Sequence, residues 1–152
     1  NVIKNFSYGE RVSDHDYLET KNYYNLSADT NVQWINDFIV HHLIGYHKIQ
    51  VNILSQHGII LFNNESLDYH NHIDETKPTE SSDLSCLFVI DNGDNPVEIT
   101  FKYNKGRSKN LFGKQLLQKK DLLILSSEVP FSIRANTNKK PSIILSLQYQ
   151  KI

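Results

Sequence analysis

Methionine is absent from this 152-residue chain, cysteine and tryptophan occur once each, proline four times and glycine six times. One thiol, Cys86, excludes an internal disulfide framework and any zinc site built from several thiolates. Six glycines leave no glycine-rich loop of the kind whose backbone N–H groups cradle phosphates. No apolar run approaches the ~20 residues that a membrane-spanning helix needs, and no apolar signal segment opens the chain. Net charge is nearly absent as well: the formal −1 gives no global pull toward nucleic acid or a membrane surface. Together these absences set the expectation of a reduced, intracellular setting. A chain without methionine that begins at Asn1 is further expected not to start at its gene's first codon.

What remains suits a globular fold. Hydrophobic residues make up 39% and charged residues 22%, too apolar for a disordered tail. The length fits one domain over residues 1–152, split into an N-terminal helical and loop segment (1–45) and a β core (46–152). The charge is polarised along it. Residues 1–83 carry 12 acids and 5 bases (net −7), and residues 84–152 carry 5 acids and 11 bases (net +6). Much of the positive charge sits in Lys102, Lys105, Arg107, Lys109, Lys114, Lys119 and Lys120. This is either a solvated edge kept unpaired by lysine or an anion- or partner-binding face. It lacks ordered aromatic interleaving, which argues against nucleic acid. The expected partners are another protein or further copies of this chain. The richness in Asn, Lys and Ile is that of AT-rich genes, many phage genes among them, which would place the protein in a host cytoplasm or a virion.

Val32, Ile35, Phe38, Ile39, His42 and Leu43 recur at three- and four-residue spacing and predict a helix over 31–44. Asp29 or Thr30 would cap its start and Gly45 its end. From residue 46 onward the signal is of strands: 49–54, 58–62, 66–72, 84–91, 96–103, 121–126, 129–135 and 142–150 are short and rich in β-branched or aromatic residues. Asp91-Asn92-Gly93-Asp94-Asn95 is the clearest turn between them. Residues 74–83 and 104–115 read as loops. About eight short strands after one helix predict an antiparallel barrel or sandwich such as a jelly roll.

One segment carries chemistry. In Tyr69-His70-Asn71-His72-Ile73-Asp74-Glu75, alternate residues of a strand share a face, so His70, His72 and Asp74 project together. His72-x-Asp74 could supply two members of a facial triad of two His and one carboxylate on Fe(II). His70 and His72 could instead belong to a three-His site, or the histidines could simply close a polar strand end against solvent. Cys86, inside an apolar strand pattern, reads as a buried small residue, and Trp34 and the tyrosines as packing or interface material. No nucleophile elbow is visible.

From about residue 46 to the end the chain resembles the 2-oxoglutarate/Fe(II)-dependent oxygenases, including phage-type and prolyl-hydroxylase-like members. Residues 69–74 look like that family's first metal-binding strand, and Leu84-Ser85-Cys86-Leu87-Phe88-Val89-Ile90-Asp91 like the strand after it. Pro96-Val97-Glu98-Ile99-Thr100-Phe101 is similar to the family's Gly-Gly-x-Leu-x-Phe strand without its glycines. Residues 118–127 resemble the turn and apolar strand that precede the distal histidine. Residues 127–133 match the stretch that carries it, and residues 141–148 the final strand.

The resemblance implies a double-stranded β-helix, Fe(II) and 2-oxoglutarate as cofactors, and metal ligands at His72 and Asp74, with His70 beside them. It also exposes two departures. Phe131 stands where the distal histidine belongs, and no histidine occurs after His72. The arginine expected to open the last strand and fork onto the cosubstrate carboxylate is replaced by Lys140-Pro141-Ser142. Lys140 offers a point charge only, and Arg134 lies on the preceding strand. A replacement ligand could come from His57 or His70, or from a cupin-like set of His70, His72 and Glu75. The expectation is a divergent oxygenase-like protein with a degenerate site, acting as a binding or structural module. The alternatives are an active dioxygenase with a non-standard ligand set, using Lys140 or Arg134 for the cosubstrate, and a viral structural jelly roll.

Overall fold

The structure, a computed structural model, describes residues 18–19, 29–70, 81–104, 110–137 and 139–152. The proposed ligands His72 and Asp74 lie outside the described residues, as do Glu75, Lys105, Arg107 and Lys109, and His70 is described by its backbone alone.

Helix α1 spans Thr30–His47. The Asp29 carboxylate accepts from the N–H groups of Asn31 (2.9 Å) and Val32 (3.1 Å), satisfying two donors that the first turn leaves without intrahelical partners. The helix runs through Gly45 and ends at Lys48, which takes the left-handed conformation with φ 56°. Lys48 N–H donates to the Ile44 carbonyl (3.2 Å) and Ile49 N–H to that of Leu43 (3.1 Å). Ile49 also packs on the core cluster that contains Leu43. The apolar residue after the cap, more than glycine's conformational freedom, therefore sets the end of the helix.

The strands are β1 (Leu18–Glu19), β2 (Val51–Leu61), β3 (Leu67–His70), β4 (Leu84–Asp91), β5 (Val97–Asn104), β6 (Asn110–Leu117), β7 (Leu122–Ser126), β8 (Phe131–Ile133) and β9 (Ser142–Lys151). They form a major sheet ordered β1-β2-β9-β4-β7 and a minor sheet ordered β3-β8-β5-β6, antiparallel throughout. Successive strands alternate between the sheets from β2 to β5 and again from β6 to β9. The result is a double-stranded β-helix, or jelly roll, preceded among the described residues by the one helix α1.

Two sequence readings change. β2 is one strand across residues 55–57, because Ser55, Gln56 and His57 pair with Gln148, Leu147 and Ser146, and a register shift between Ile53 and Ser55 absorbs the irregularity. The Ser55 hydroxyl donates to Gln148 Oε1 at 2.7 Å, so the polar interruption is a satisfied piece of strand and not a turn. β6 forms within the stretch that reads as a loop. Among the described strands it lies at the edge and pairs with β5 alone, and its Gly113 sits directly opposite Phe101.

The core has two layers on either side of the major sheet. Ile143, Leu145, Leu147 and Tyr149 of β9 point to one side and bury Val32, Ile39 and Leu43 of α1 together with Cys86 and Ile60. Ile144 points to the other, joining Ile59, Leu61, Leu67, Leu87, Val89, Val97, Ile99, Leu117, Phe131 and Ile133 inside the sandwich. β9 is covered on both faces, which is why its first half reads as an unbroken apolar run. Burial of each such aliphatic side chain contributes about 1.5–3 kcal/mol. Tyr149 adds a polar tie: its hydroxyl donates to Asn36 Oδ1 at 2.8 Å, fixing helix to sheet.

Candidate functional site

Cross-strand register sorts the interior of the sandwich into rows, because directly paired residues share a face. On the major sheet the deepest row is Ile59, Ile144 and Val89; the next is His57, Ser146, Leu87 and Leu123; the last is Ser55, Gln148, Ser85 and Leu125. The interior thus turns from apolar to polar toward the end where β3 stops and β4 starts. His57, Ser146 and Ser85 are buried there. Ser127 continues the polar end, its Oγ 2.7 Å from Ser82 Oγ and 2.9 Å from Ser85 Oγ. The Ser146 hydroxyl is buried and has no hydrogen-bond partner among the described residues.

The facing wall belongs to the minor sheet. Leu67, Ile133 and Ile99 form one row, and Phe131, Phe101 and Gly113 form the row nearer the mouth. A register shift between Leu67 and His70 brings the His70 backbone level with Phe131. The strand whose continuation holds His72 and Asp74 therefore pairs with the strand that holds Phe131. Phe131 itself is 1% exposed and packs in the interior apolar cluster. Its ring carries no donor atom. Phe101 covers Gly113 so closely that a Cβ there would fall onto the ring.

The two cations considered for cosubstrate binding lie elsewhere. Arg134 is 70% exposed on the outer face of the minor sheet, where its Nη1 meets Glu98 Oε2 at 3.2 Å. Lys114 Nζ binds Glu98 Oε1 at 2.8 Å, and this hydrogen bond, with help from Arg134, holds the Glu98 carboxyl below its usual value. Lys140 stands before β9 at the end of the sandwich away from His70, with Nζ 3.7 Å from Asp94 Oδ1. A cavity of about 260 Å³ opens at that same end, lined by Leu61, Val97, Glu98, Arg134, Asn136 and Ser142 among others. Arg134 thus reaches a cavity beside the start of the last strand, and Lys140 is not part of its lining. Of the lysine-rich segment, Lys102 lies 3.8 Å above the Tyr69 ring, so its charge faces outward.

Cys86 is buried on the helix side of the major sheet, and burial pushes its thiol up to about 12, far from a nucleophile's range. Among the described residues no group of three or more His, Cys, Asp or Glu side chains is placed to hold a metal ion. The inward polar residues were not singled out in the sequence: Ser146 and Gln148 alternate with apolar residues of β9, but only register joins them to Ser55, His57 and Ser85.

No family model matches the chain, and no curated protein sequence matches it. Solved structures do. Over 98% of this chain and 68% of its own, the non-heme alpha ketoglutarate dependent epimerase SnoN from nogalamycin biosynthesis superposes with a TM-score of 0.74 at 12% identity. The carbocyclase SnoK from the same biosynthesis covers 96% of this chain and 68% of its own, with a TM-score of 0.68 at 7% identity. An oxidoreductase of the 2OG-Fe(II) oxygenase family from Burkholderia pseudomallei covers 98% of this chain and 75% of its own, with a TM-score of 0.59 at 9% identity. At such identities the likeness establishes the fold: that of the 2-oxoglutarate/Fe(II) oxygenases. No helix among the described residues is long and apolar enough to cross a membrane.

Proposed function

We propose that this chain is a divergent 2-oxoglutarate/Fe(II) oxygenase-like protein whose metal corner is lost, and that it acts as a binding or structural module. The observation that carries this is Phe131. The sequence resemblance assigns it the place of the third imidazole, and it lies level with the His70 backbone and packs in the interior apolar cluster. The residues present do not fit the iron: a ring without a lone pair replaces a ligand, and each lost ligand removes both bonding and geometry. The cosubstrate side is also altered. Arg134 is engaged with Glu98, and Lys140 lies against Asp94. Incubation with Fe(II), ascorbate and 2-oxoglutarate is expected to yield no succinate above a protein-free control. Turnover that disappears in His72→Ala would overturn the proposal.

His57 favours one second reading. It is buried on the inner face of β2, two residues before Ile59 of the apolar row, and could complete a non-standard set with His70, His72 or Asp74. In that case metal binding would be lost in His57→Ala as well as in His72→Ala.

A further inference from the structure

Helix α1 turns an aromatic stripe to solvent that the core does not use. Trp34, Phe38, His42 and Tyr46 follow one another at four-residue spacing, with ring centroids 6.0, 6.2 and 4.7 Å apart. Trp34 is 68% exposed, Phe38 53% and Tyr46 79%. A solvent-facing helix surface normally carries charged and polar residues, so an exposed stack of this length needs a cover. Beside its N-terminal half lies a groove of about 420 Å³, walled by Trp34, Ile35, Phe38, Phe88 and Leu122, with Lys120 at its edge.

We propose that this face is a twofold interface with a second copy of the chain, formed by antiparallel packing of the two α1 helices. The surface is self-complementary, as an isologous contact requires. Its N-terminal half offers a groove and its C-terminal half offers the most exposed ring, that of Tyr46. A twofold axis passing near residue 40 sets each Tyr46 against the other copy's groove, about 18 Å along the helix from it, and lays Phe38 along His42. The same arrangement brings the basic C-terminal end of each helix, with His47 and Lys48, toward the N-terminal end and Asp29 of the other, a favourable pairing of charges and dipoles. The size is adequate too. The exposed fractions of the three large rings sum to two whole side chains, which at about 150–250 Å² each is about 300–500 Å² per copy. Doubled, and with flanking atoms such as Ile44 added, this approaches the ~1,000 Å² that a specific interface needs.

Trp34 is the only tryptophan in the chain, so its fluorescence reads this face alone. Sedimentation of the full chain over a dilution series, with emission and iodide quenching measured on the same samples, tests the proposal. The expected result is a species of twice 17.6 kDa that dissociates on dilution as Trp34 emission shifts to the red and quenching rises. Tyr46→Ala is expected to raise the dissociation constant at least about tenfold, with unchanged circular dichroism and with unchanged melting at dilutions where both proteins are monomeric. Phe38→Lys provides the same reading by mass if Tyr46→Ala folds poorly. A monomer with freely quenched Trp34 at every concentration would overturn the proposal. So would a monomer whose Trp34 is shielded independently of concentration, since part of the same chain would then be the cover. A dimer in which Trp34 stays open to iodide would place the interface elsewhere and overturn it equally.

Discussion

Phe131 decides more than any other side chain because its position has two competing uses. In a metal-binding corner it would be a ligand; in this fold it is packing, lying in register between His70 and Phe101 at the row nearest the mouth. A ring so placed stabilises the sandwich, and under the proposed function it leaves the metal corner without a donor. Phe131→Ala is therefore expected to cost about 3–5 kcal/mol, measured by urea unfolding, as a core residue would and a catalytic ligand generally does not. A cost below ~1 kcal/mol would mean that the corner is not packed. The assignment of residues 127–133 to the stretch that carries the distal histidine comes from the sequence resemblance, and the proposed function rests on it. The polar row behind Phe131 was not legible in the sequence. Ser55, Ser85, Ser146 and Gln148 are ordinary strand residues until register shows that they share one inner face.

At the scale of elements, the helix and most strands were readable because a covered face leaves a period. α1 shows it in Val32, Ile39 and Leu43, and β9 in its apolar run, buried from both sides. β6 left none: among the described strands it lies at the edge, with Phe112, Lys114 and Leu116 to the outside, and on its inner face Gly113 yields space to Phe101. The β2 interruption misled for a related reason, its polar residues being satisfied across the sheet. Two predictions belong here. Asp29→Ala removes the acceptor for two N–H groups at the start of α1, and is expected to lower stability by about 1 kcal/mol, read as a fall in the denaturant midpoint with unchanged slope.

Glu98 ties β5 to Lys114 of β6 and to Arg134 beyond β8. Its carboxyl is held below the ordinary 4.5, so its contribution is fully present above that value and fades as pH falls through the lower folded one. Acid unfolding of Glu98→Gln, followed by circular dichroism, should therefore show a shallower loss of stability below pH 4.5. The difference should shrink in high salt, because both cations are largely exposed. An identical acid limb in the variant would show that the pairs carry no stability.

For the whole molecule, the fold and its chemistry separate. The sandwich shares its fold with 2-oxoglutarate/Fe(II) oxygenases, and a fold does not by itself specify an activity. The donor atoms at the mouth of the sandwich distinguish a working iron centre from a retained scaffold. Calorimetric titration of the full chain with Mn(II), in the presence and absence of 2-oxoglutarate, counts those donors directly. If Phe131 fills the third corner, as proposed, no stoichiometric binding is expected in either condition, and 2-oxoglutarate should add none. One Mn(II) bound per chain, tightened by 2-oxoglutarate and abolished by His72→Ala, would contradict the loss of the metal site.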